Sequence, residues 1–440
     1  MAKISLSAEH PGVARTSNAA PGALEAATRL LQRNHDEHHM FWRSVAGHNH
    51  ISHSVLTILA LGGGPAELQR AFDDGADIQR PMPAADSDII ARLNDPQEFW
   101  IRMGQLDQYA NFLVYFARQI EARGYRAVVL EYCFDRTSKI AEAMFAQLFE
   151  GLYHPVIHLA FGVEFDQPAI VAEALAQAAS HDSMGVEPFL LRCEQLALKA
   201  RAEAAPLVQL FHEAGASPTL RSAPRGFENG PDRVRDGIFG RAGDEVAALA
   251  AQFRVSPHEL QRRLAEMVNC AAYVAASAQR AGRPRKIDFF HLHTVTAALS
   301  LSVLGRQSWI TDAGKARLVE WKARMDLVWY CASGGVELRL EDVLDYTPAL
   351  SAGMDWSALY GAVTTVHDDG HLAKFVRALK HGEEVSRPFE DADAFPIKGR
   401  LWLKIAQMAY DTSVDRPIER KWIWGVGFDE NWADVMASEV

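Results

Sequence analysis

Apolar residues recur at three- and four-residue spacing along most of this chain. The pattern begins at Ala23 and predicts a first amphipathic helix from the positions Leu24, Ala27, Leu30 and Leu31. A second helix is predicted over about residues 49–61 and ends at Gly62-Gly63-Gly64-Pro65, because glycine permits left-handed backbone and proline cannot continue a helix. The same spacing predicts further helices near residues 66–74, 97–123, 137–149, 155–180, 185–213, 244–280, 287–304, 311–333, 355–380 and 399–410.

Strand signals are few. Residues Tyr125–Phe134 are compatible with either a short strand or a helix. Residues 1–22 lack periodicity and predict a flexible N-terminal segment, and residues 214–243, rich in Gly, Pro, Arg and Asp, predict a long loop or lid at a domain boundary. The whole pattern predicts an all-α fold over residues 23–440, a large bundle-like architecture with either one core or two helical lobes.

Composition narrows the class of protein. The 440 residues are 48% hydrophobic and carry a net charge of -11, which argues against a nucleic-acid partner because phosphate binding needs a basic patch. The one basic run, Arg283–Lys286, is short enough to be a solvated entry to the next helix. With neither a bilayer-spanning apolar stretch nor a secretory signal, we expect a cytoplasmic protein without a membrane partner. The four cysteines, Cys133, Cys193, Cys270 and Cys331, have no metal-ligand spacing and predict buried core residues.

The chemistry points to histidines. The chain has 17 of them, and they cluster. His50 and His53 are three residues apart, which places both rings on one side of a helix, close enough to bind one ion. A pair of partly exposed helix histidines is the competing interpretation. His154 and His158 are four apart in an apolar segment in which Pro155 suits the first turn of a helix, and a buried histidine there needs a carboxylate, a carbonyl or a metal as partner.

Two further segments contribute candidates. His291 and His293 are two residues apart and point to different faces of one helix, so we expect only one of them to face the core. We choose His293 because it shares a stripe with Phe289 and Phe290. Lys374 flanks the apolar face of its helix, where a lysine extending to solvent is the ordinary interpretation. His367-Asp368-Asp369 contains the His-x-Asp spacing of a two-histidine-one-carboxylate iron site.

Several familiar motifs are missing. The sequence contains neither a dinucleotide-binding glycine fingerprint, nor a phosphate loop, nor His-Glu-x-x-His, nor a Gly-x-Ser-x-Gly nucleophile elbow. If the protein is an enzyme, the histidines are therefore its most plausible catalytic or metal-binding residues.

Taken together, several segments resemble the questin oxidase-like family. They are, in the family's order, His48-Asn-His-Ile-Ser-His-Ser-Val-Leu56 running into Ala60-Leu-Gly62; Gly151-Leu-Tyr-His-Pro-Val-Ile-His158 with Glu164 and residues 167–174; Asp288-Phe-Phe-His-Leu-His293; His371-Leu-Ala-Lys-Phe-Val-Arg-Ala378; and a Trp-rich tail around Trp422 and Trp432. The resemblance extends from about residue 30 to the end of the chain.

This resemblance implies an oxygen-dependent enzyme that cleaves or oxygenates a ring of an aromatic polyketide of the anthraquinone type. It further implies a non-haem Fe(II) centre with ligands His50, His53, His158 and His293 and a carboxylated Lys374, with His154 as an alternative to His158. His158 and Lys374 would also serve in catalysis. The chain departs from the family at Ser54, where many relatives have another histidine, and at His291, a position usually apolar; the first departure leaves the role of His53 open.

Other functions are compatible with the same residues. In a metal-free Baeyer–Villiger-type oxidase, His158 or His293 would act as base on a phenolic substrate and NADPH would be the reductant. A non-catalytic protein that binds a polycyclic ligand would consume no oxygen. A helical metal-dependent hydrolase would turn over without dioxygen.

Overall fold

The computed structural model describes residues 3–16, 18–43, 47–227 and 229–436. Its regular structure is helical throughout these residues, and the pairing of extended segments is limited to isolated bridges such as His38 with Pro81 and Ala278 with Leu338. The predicted all-α fold is confirmed. None of the described helices is both long and apolar enough to cross a bilayer. The four cysteines are buried and unpaired, as predicted.

The chain divides into two compact units. The first comprises residues 1–187, 306–310 and 364–374, and the second comprises residues 188–305, 311–363 and 375–440. Helices of the first unit are α1 (Ala23–Glu37), α2 (Ile51–Ala60), α3 (Pro65–Ala76), α4 (Ser87–Arg92), α5 (Pro96–Arg102), α6 (Tyr109–Arg123), α7 (Tyr125–Val129), α8 (Lys139–Gln147), α9 (His154–Glu164) and α10 (Pro168–Ser180).

The remaining helices belong to the second unit or begin in the first. They are α11 (Val186–Lys199), α12 (Leu207–Ala216), α13 (Pro218–Ser222), α14 (Gly230–Asp232), α15 (Gly240–Ala250), α16 (Leu260–Ser277), α17 (Phe289–Gly305), α18 (Asp312–Ala332), α19 (Glu341–Leu344), α20 (Trp356–Val363), α21 (His371–Ser386), α22 (Leu401–Ser413), α23 (Ile418–Lys421) and α24 (Ala433–Met436). Helices α11 and α21 each start in the first unit and continue into the second.

Most predicted helices are present, but the longest runs are interrupted. The run 97–123 breaks at Gly104, which has φ +76°, and the run 155–180 breaks where Asp166 takes φ +52° just before Pro168. The three- and four-residue spacing of apolar residues continues across these breaks because the two successive helices of each pair bury their apolar faces in the same core. The ambiguous segment Tyr125–Phe134 is helical, with α7 followed by a π-helical turn.

Two segments that were predicted to be irregular make specific contacts in the structure, while the flexibility of residues 1–22 stays a prediction. In the N-terminal segment, Ile4 is buried, and Gln167 both accepts from Ser5 N and donates to Ser5 O at 2.9 Å, so these residues pack against the first unit. The stretch 214–243 contains the short helices α13 and α14 and a π-helix, Arg233–Phe239, because Ser217 and Asn229 cap helix starts that carry proline in the first turn. Its role as a boundary or lid stays a prediction.

Three helices of the first unit are buried almost all round. Every residue of α2 is buried, and only Glu164 of α9 and Pro168 of α10 are not. Helix α10 packs against α9, and α9 packs against α2. A helix that is apolar on all sides must lie inside a domain, so polar side chains on these three helices face one another in the core.

Candidate functional site

The polar residues of these central helices form a cluster of histidines. His50 caps the N-terminus of α2 and His53 lies on its first turn, while His154 and His158 are one turn apart on α9. The ring of His53 lies 6.1 Å from that of His50, 6.3 Å from that of His154 and 4.9 Å from that of His158. The structure thus brings together the four histidines that the sequence predicts in this unit.

The backbone ahead of α9 is strained. Gly151, Leu152 and Tyr153 adopt φ of +51°, +58° and +68° in succession, a left-handed conformation that costs non-glycine residues about 1–3 kcal/mol each. This turn aims the carbonyl of Gly151 at the ring of His154, with 2.6 Å between Gly151 O and His154 Nδ1. The strained backbone at residues 151–153 therefore helps to orient the ring of His154, a candidate metal ligand.

The hydrogen bonds of His50 and His154 fix their tautomers. His154 Nδ1 donates to the Gly151 carbonyl, and His50 Nδ1 lies 3.2 Å from Asp369 Oδ2. Carbonyls and ionised carboxylates only accept, so both Nδ1 atoms carry the proton. Each neutral ring then has its lone pair on Nε2, and these two Nε2 atoms are 2.7 Å apart. Two lone pairs at this distance repel one another unless a cation lies between them.

The start of α21 completes this part of the cluster. Asp369 also accepts from His371 Nδ1, and the rings of His371 and His50 lie 4.8 Å apart, edge to face. Gly370 lies between Asp369 and His371 and has φ +86°, and a Cβ on this residue would be 2.8 Å from Ser54 Cβ. Glycine is therefore required for this segment to approach α2 so closely.

Lys374 lies one turn further along α21 and is buried. Burial lowers its pKa to about 8, although the carboxylates of Asp369 and Asp368 oppose the shift. Burial and then the Lys374 charge lower the pKa of His50 to about 3. These effects increase the neutral fraction of the Lys374 amine, although the ammonium still predominates at pH 7, and keep the ring of His50 neutral near physiological pH.

His53 and His158 form a second linked pair. His53 Nε2 is 2.9 Å from His158 Nδ1, and His158 Nε2 is 2.6 Å from Glu173 Oε2 on α10. The other oxygen of Glu173 is 2.6 Å from His35 Nδ1 on α1. His53 Nδ1 is buried and has no hydrogen-bond partner among the described residues.

A third pair flanks the cluster. His48 stacks on His154, with 4.0 Å between ring centroids and 9° between ring planes, and His48 Nε2 is 2.8 Å from His181 Nε2. A Cβ on Gly151 would collide with His181 and lie 2.7 Å from His48 Nε2. Glycine at 151 thus leaves room for both rings. Burial lowers the pKa of His48 well below its usual range.

The remaining predicted histidines belong to the second unit. His293 is buried on α17, and its Nδ1 donates to Phe289 O at 2.7 Å, which leaves the lone pair on Nε2. The expectation that His293 alone faces the core is wrong, because His291 is fully buried as well. Every residue of α17 from Phe290 to Leu304 is buried, so all faces of this helix are packed. Neither ring nitrogen of His291 has a hydrogen-bond partner within the described part of the chain, and burial lowers its pKa.

The His-x-Asp motif does not act as a unit. The side chain of His367 is 76% exposed and its Nδ1 is 2.8 Å from Asp74 Oδ1, whereas Asp369 points to His50 and His371. The residues that sequence reasoning missed as parts of the site are Glu173, His35, His181 and His371, whereas Asp369 was a candidate through the His-x-Asp spacing. Only a polar residue inside an otherwise apolar helix, such as Glu173 in α10, gave a signal for them.

Comparisons with known proteins place the chain in a family. The family model described as Questin oxidase-like matches residues 47–379. The chain is 64% identical to "Questin oxidase" of Aspergillus terreus over 99% of this chain and 98% of the relative. It is 56% identical to "Baeyer-Villiger oxidase ptaJ" of Pestalotiopsis fici over 99% and 98% of the two chains, and 46% identical to "Baeyer-Villiger monooxygenase dmxR6" of Cryptosporiopsis sp. over 98% and 97%. The resemblance seen in the sequence is confirmed, and the chain belongs to the questin oxidase-like family.

Proposed function

We propose that this protein is an oxygen-dependent oxidoreductase that cleaves or oxygenates a ring of an aromatic polyketide of the anthraquinone type at a non-haem iron centre. The names of its relatives, questin oxidase and Baeyer-Villiger oxidase, support the reaction class. The substrate class rests on the first of these names, since questin is an anthraquinone.

One observation is the main support for a metal ion in this proposal. His50 and His154 present Nε2 lone pairs to each other at 2.7 Å, and the low pKa of His50 makes a shared proton unfavourable. Two nitrogen ligands at right angles around an ion with bonds of about 2.0–2.1 Å lie roughly 2.9 Å apart, so a small adjustment accommodates an ion. Imidazole nitrogen is a suitable ligand for iron.

Further ligands come from the residues around this pair. His53 and His158 lie beside it, His293 remains a predicted ligand, and Lys374 is a predicted anionic ligand after carboxylation. A neutral amine reacts with carbon dioxide, and the lowered pKa of Lys374 increases the neutral fraction. When bound, iron would supply the electron path that allows triplet dioxygen to react with a singlet substrate.

The protein itself orients and shields the reactants. Asp369 and the Gly151 carbonyl hold His50 and His154 in single tautomers, so neither ring has to change its tautomer when the site fills. A cavity of about 50 Å³ beside His50 is lined by Trp42, His48 and Asp369 among others; it accommodates a molecule the size of water or dioxygen. In the metal-free alternative, His158 stays a predicted base, and the lone pair on its Nδ1 would accept the proton of a phenolic substrate because its Nε2 is bonded to Glu173.

Metal analysis of purified protein tests the proposal. We expect stoichiometric iron and oxygen uptake that accompanies loss of an anthraquinone substrate. His50→Ala should lose both iron and turnover with unchanged circular dichroism, whereas His367→Ala, which alters an exposed histidine of the same unit, should keep both. Normal iron content in His50→Ala would remove His50 from the site.

The same experiment separates the competing functions. The relatives named Baeyer-Villiger oxidases favour a metal-free oxidase as second candidate, which predicts NADPH consumption by active protein without stoichiometric metal. A polycyclic-ligand-binding protein predicts substrate depletion without oxygen uptake, and a hydrolase predicts turnover under anaerobic conditions.

A further inference from the structure

Glu173 joins two histidines in the core of the first unit. Its two oxygens lie 2.6 Å from His35 Nδ1 and 2.6 Å from His158 Nε2. The side chains of these three residues are 3%, 1% and 0% exposed. They come from three different helices, α10, α1 and α9, so the carboxylate is held from two sides.

An ionised carboxylate settles where the protons of both rings lie. Each oxygen of Glu173 lies 2.6 Å from a ring nitrogen that can donate a proton, and two such hydrogen bonds favour the ionised carboxylate. Because the carboxylate only accepts, His35 donates from Nδ1 and His158 donates from Nε2. In this tautomer the lone pair of His158 is on Nδ1, which faces His53 Nε2 at 2.9 Å.

We propose that Glu173 is the positioning residue of the site: it fixes the tautomer of His158 so that this ring can bind an ion through Nδ1 and not through Nε2. This inference rests on the proposed function for the identity of the ion. It assigns to Glu173 an effect on the site through His158, without contact with substrate or iron.

The arrangement also determines the tautomer of His53. Without an ion, His53 donates from Nε2 to His158 Nδ1, and its Nδ1, which lacks a partner among the described residues, is unprotonated. An ion at His158 Nδ1 competes with this proton. Loading of the site should therefore displace the proton from His53 Nε2, while His158 keeps its proton on Nε2.

Histidine-selective ¹⁵N NMR tests the tautomers directly, since protonated, unprotonated and metal-bound ring nitrogens have distinct shifts. In the metal-free wild-type protein, His158, assigned with His158→Asn, should be protonated at Nε2 and unprotonated at Nδ1. Zinc, a diamagnetic substitute for iron, should then shift the Nδ1 signal. Protonation at Nδ1 in the metal-free protein, or a zinc shift at Nε2, would overturn the inference.

Two variants give the matched comparison. Glu173→Met removes the acceptor, so His158 should populate both tautomers and metal affinity should fall about 10- to 100-fold, as is typical when the partner of a ligand is lost. His35→Leu removes the other hydrogen bond of Glu173 and should leave the His158 spectrum unchanged. A changed His158 spectrum in His35→Leu but not in Glu173→Met would overturn the inference. If Glu173→Met fails to fold, the wild-type spectrum still decides.

The outcomes also distinguish this inference from the proposed function. If metal-free His158 has the predicted tautomer but zinc leaves its spectrum unchanged, His158 is not a ligand, and the ligand set of the proposed function fails while the effect of Glu173 on the tautomer stands. If the tautomer is reversed, the inference fails whatever the metal content.

Discussion

Replacement of Lys374 by methionine should stabilise the metal-free protein against unfolding. The same replacement should abolish the activity that the wild type has when loaded with iron. Burial lowers the pKa of Lys374 from 10.5 to about 8, and a tenfold change in a protonation equilibrium corresponds to about 1.4 kcal/mol. The buried ammonium therefore destabilises the folded protein by about 3 kcal/mol at pH 7. Methionine has a similar length and carries no charge, so Lys374→Met should raise the free energy of unfolding by roughly that amount.

The sign of the pH dependence follows from the same shift. Between about pH 8 and pH 10.5 the unfolded chain binds more protons at residue 374 than the folded chain, so the wild type should gain stability as pH rises through this window. Below pH 8 both states are protonated and the full destabilisation is present. The difference between the wild type and Lys374→Met should therefore be largest at pH 7 and shrink toward pH 10.

Urea unfolding of metal-free protein in buffers free of carbon dioxide measures these values. Lys139→Met alters an exposed lysine in the same unit and should change stability by less than about 0.5 kcal/mol at every pH. The reasoning is refuted if Lys374→Met has a lower free energy of unfolding than the wild type at pH 7. It is also refuted if the difference in this free energy is the same at pH 7 and pH 10, because the folded protein would then stabilise the ammonium as well as water does. Retained iron in this variant would argue against Lys374 as a ligand.

Other predictions concern the backbone and a second carboxylate. Gly370→Ala should destabilise the protein by more than Gly124→Ala, because both glycines have positive φ but only a Cβ at 370 meets Ser54, at 2.8 Å, whereas nothing lies within 4 Å at 124; equal losses in thermal unfolding would contradict this. Burial raises the pKa of Glu150 to about 7 from 4.5, so its protonated form stabilises the fold at low pH, and the wild type should lose about 3 kcal/mol as pH rises from 4.5 to 7. Glu150→Gln should lack this contribution; identical pH profiles of the two proteins would be inconsistent with it.

The helices were predictable because their signal is local, but the site was predictable only in part. Periodicity located α1, α2 and α17 within a few residues, and apolar surroundings marked His154 and His158 as buried. The partners of these histidines come from distant parts of the chain. The contact between His50 and Asp369 joins residues 319 positions apart, and no spacing rule encodes it.

The missed residues share a physical reason. Tautomers depend on which oxygen atom lies beside each ring nitrogen, and that is set by tertiary packing, as with Glu173 between α1 and α9. The contact of His367 with Asp74 and the exposure of its side chain are likewise set by tertiary structure, which the His-x-Asp spacing does not describe. Residue types predicted that a site exists, while packing decides the roles of its members.

The left-handed turn at 151–153 limits how this protein can be made more robust. Replacing glycine by alanine, or relieving unfavourable dihedral angles, is a common route to thermostable variants. Here relief would move the oxygen that holds His154 and fill the space used by His48 and His181. Engineering for heat tolerance should therefore leave these three positions untouched, and directed evolution for stability alone should yield inactive proteins when it changes them.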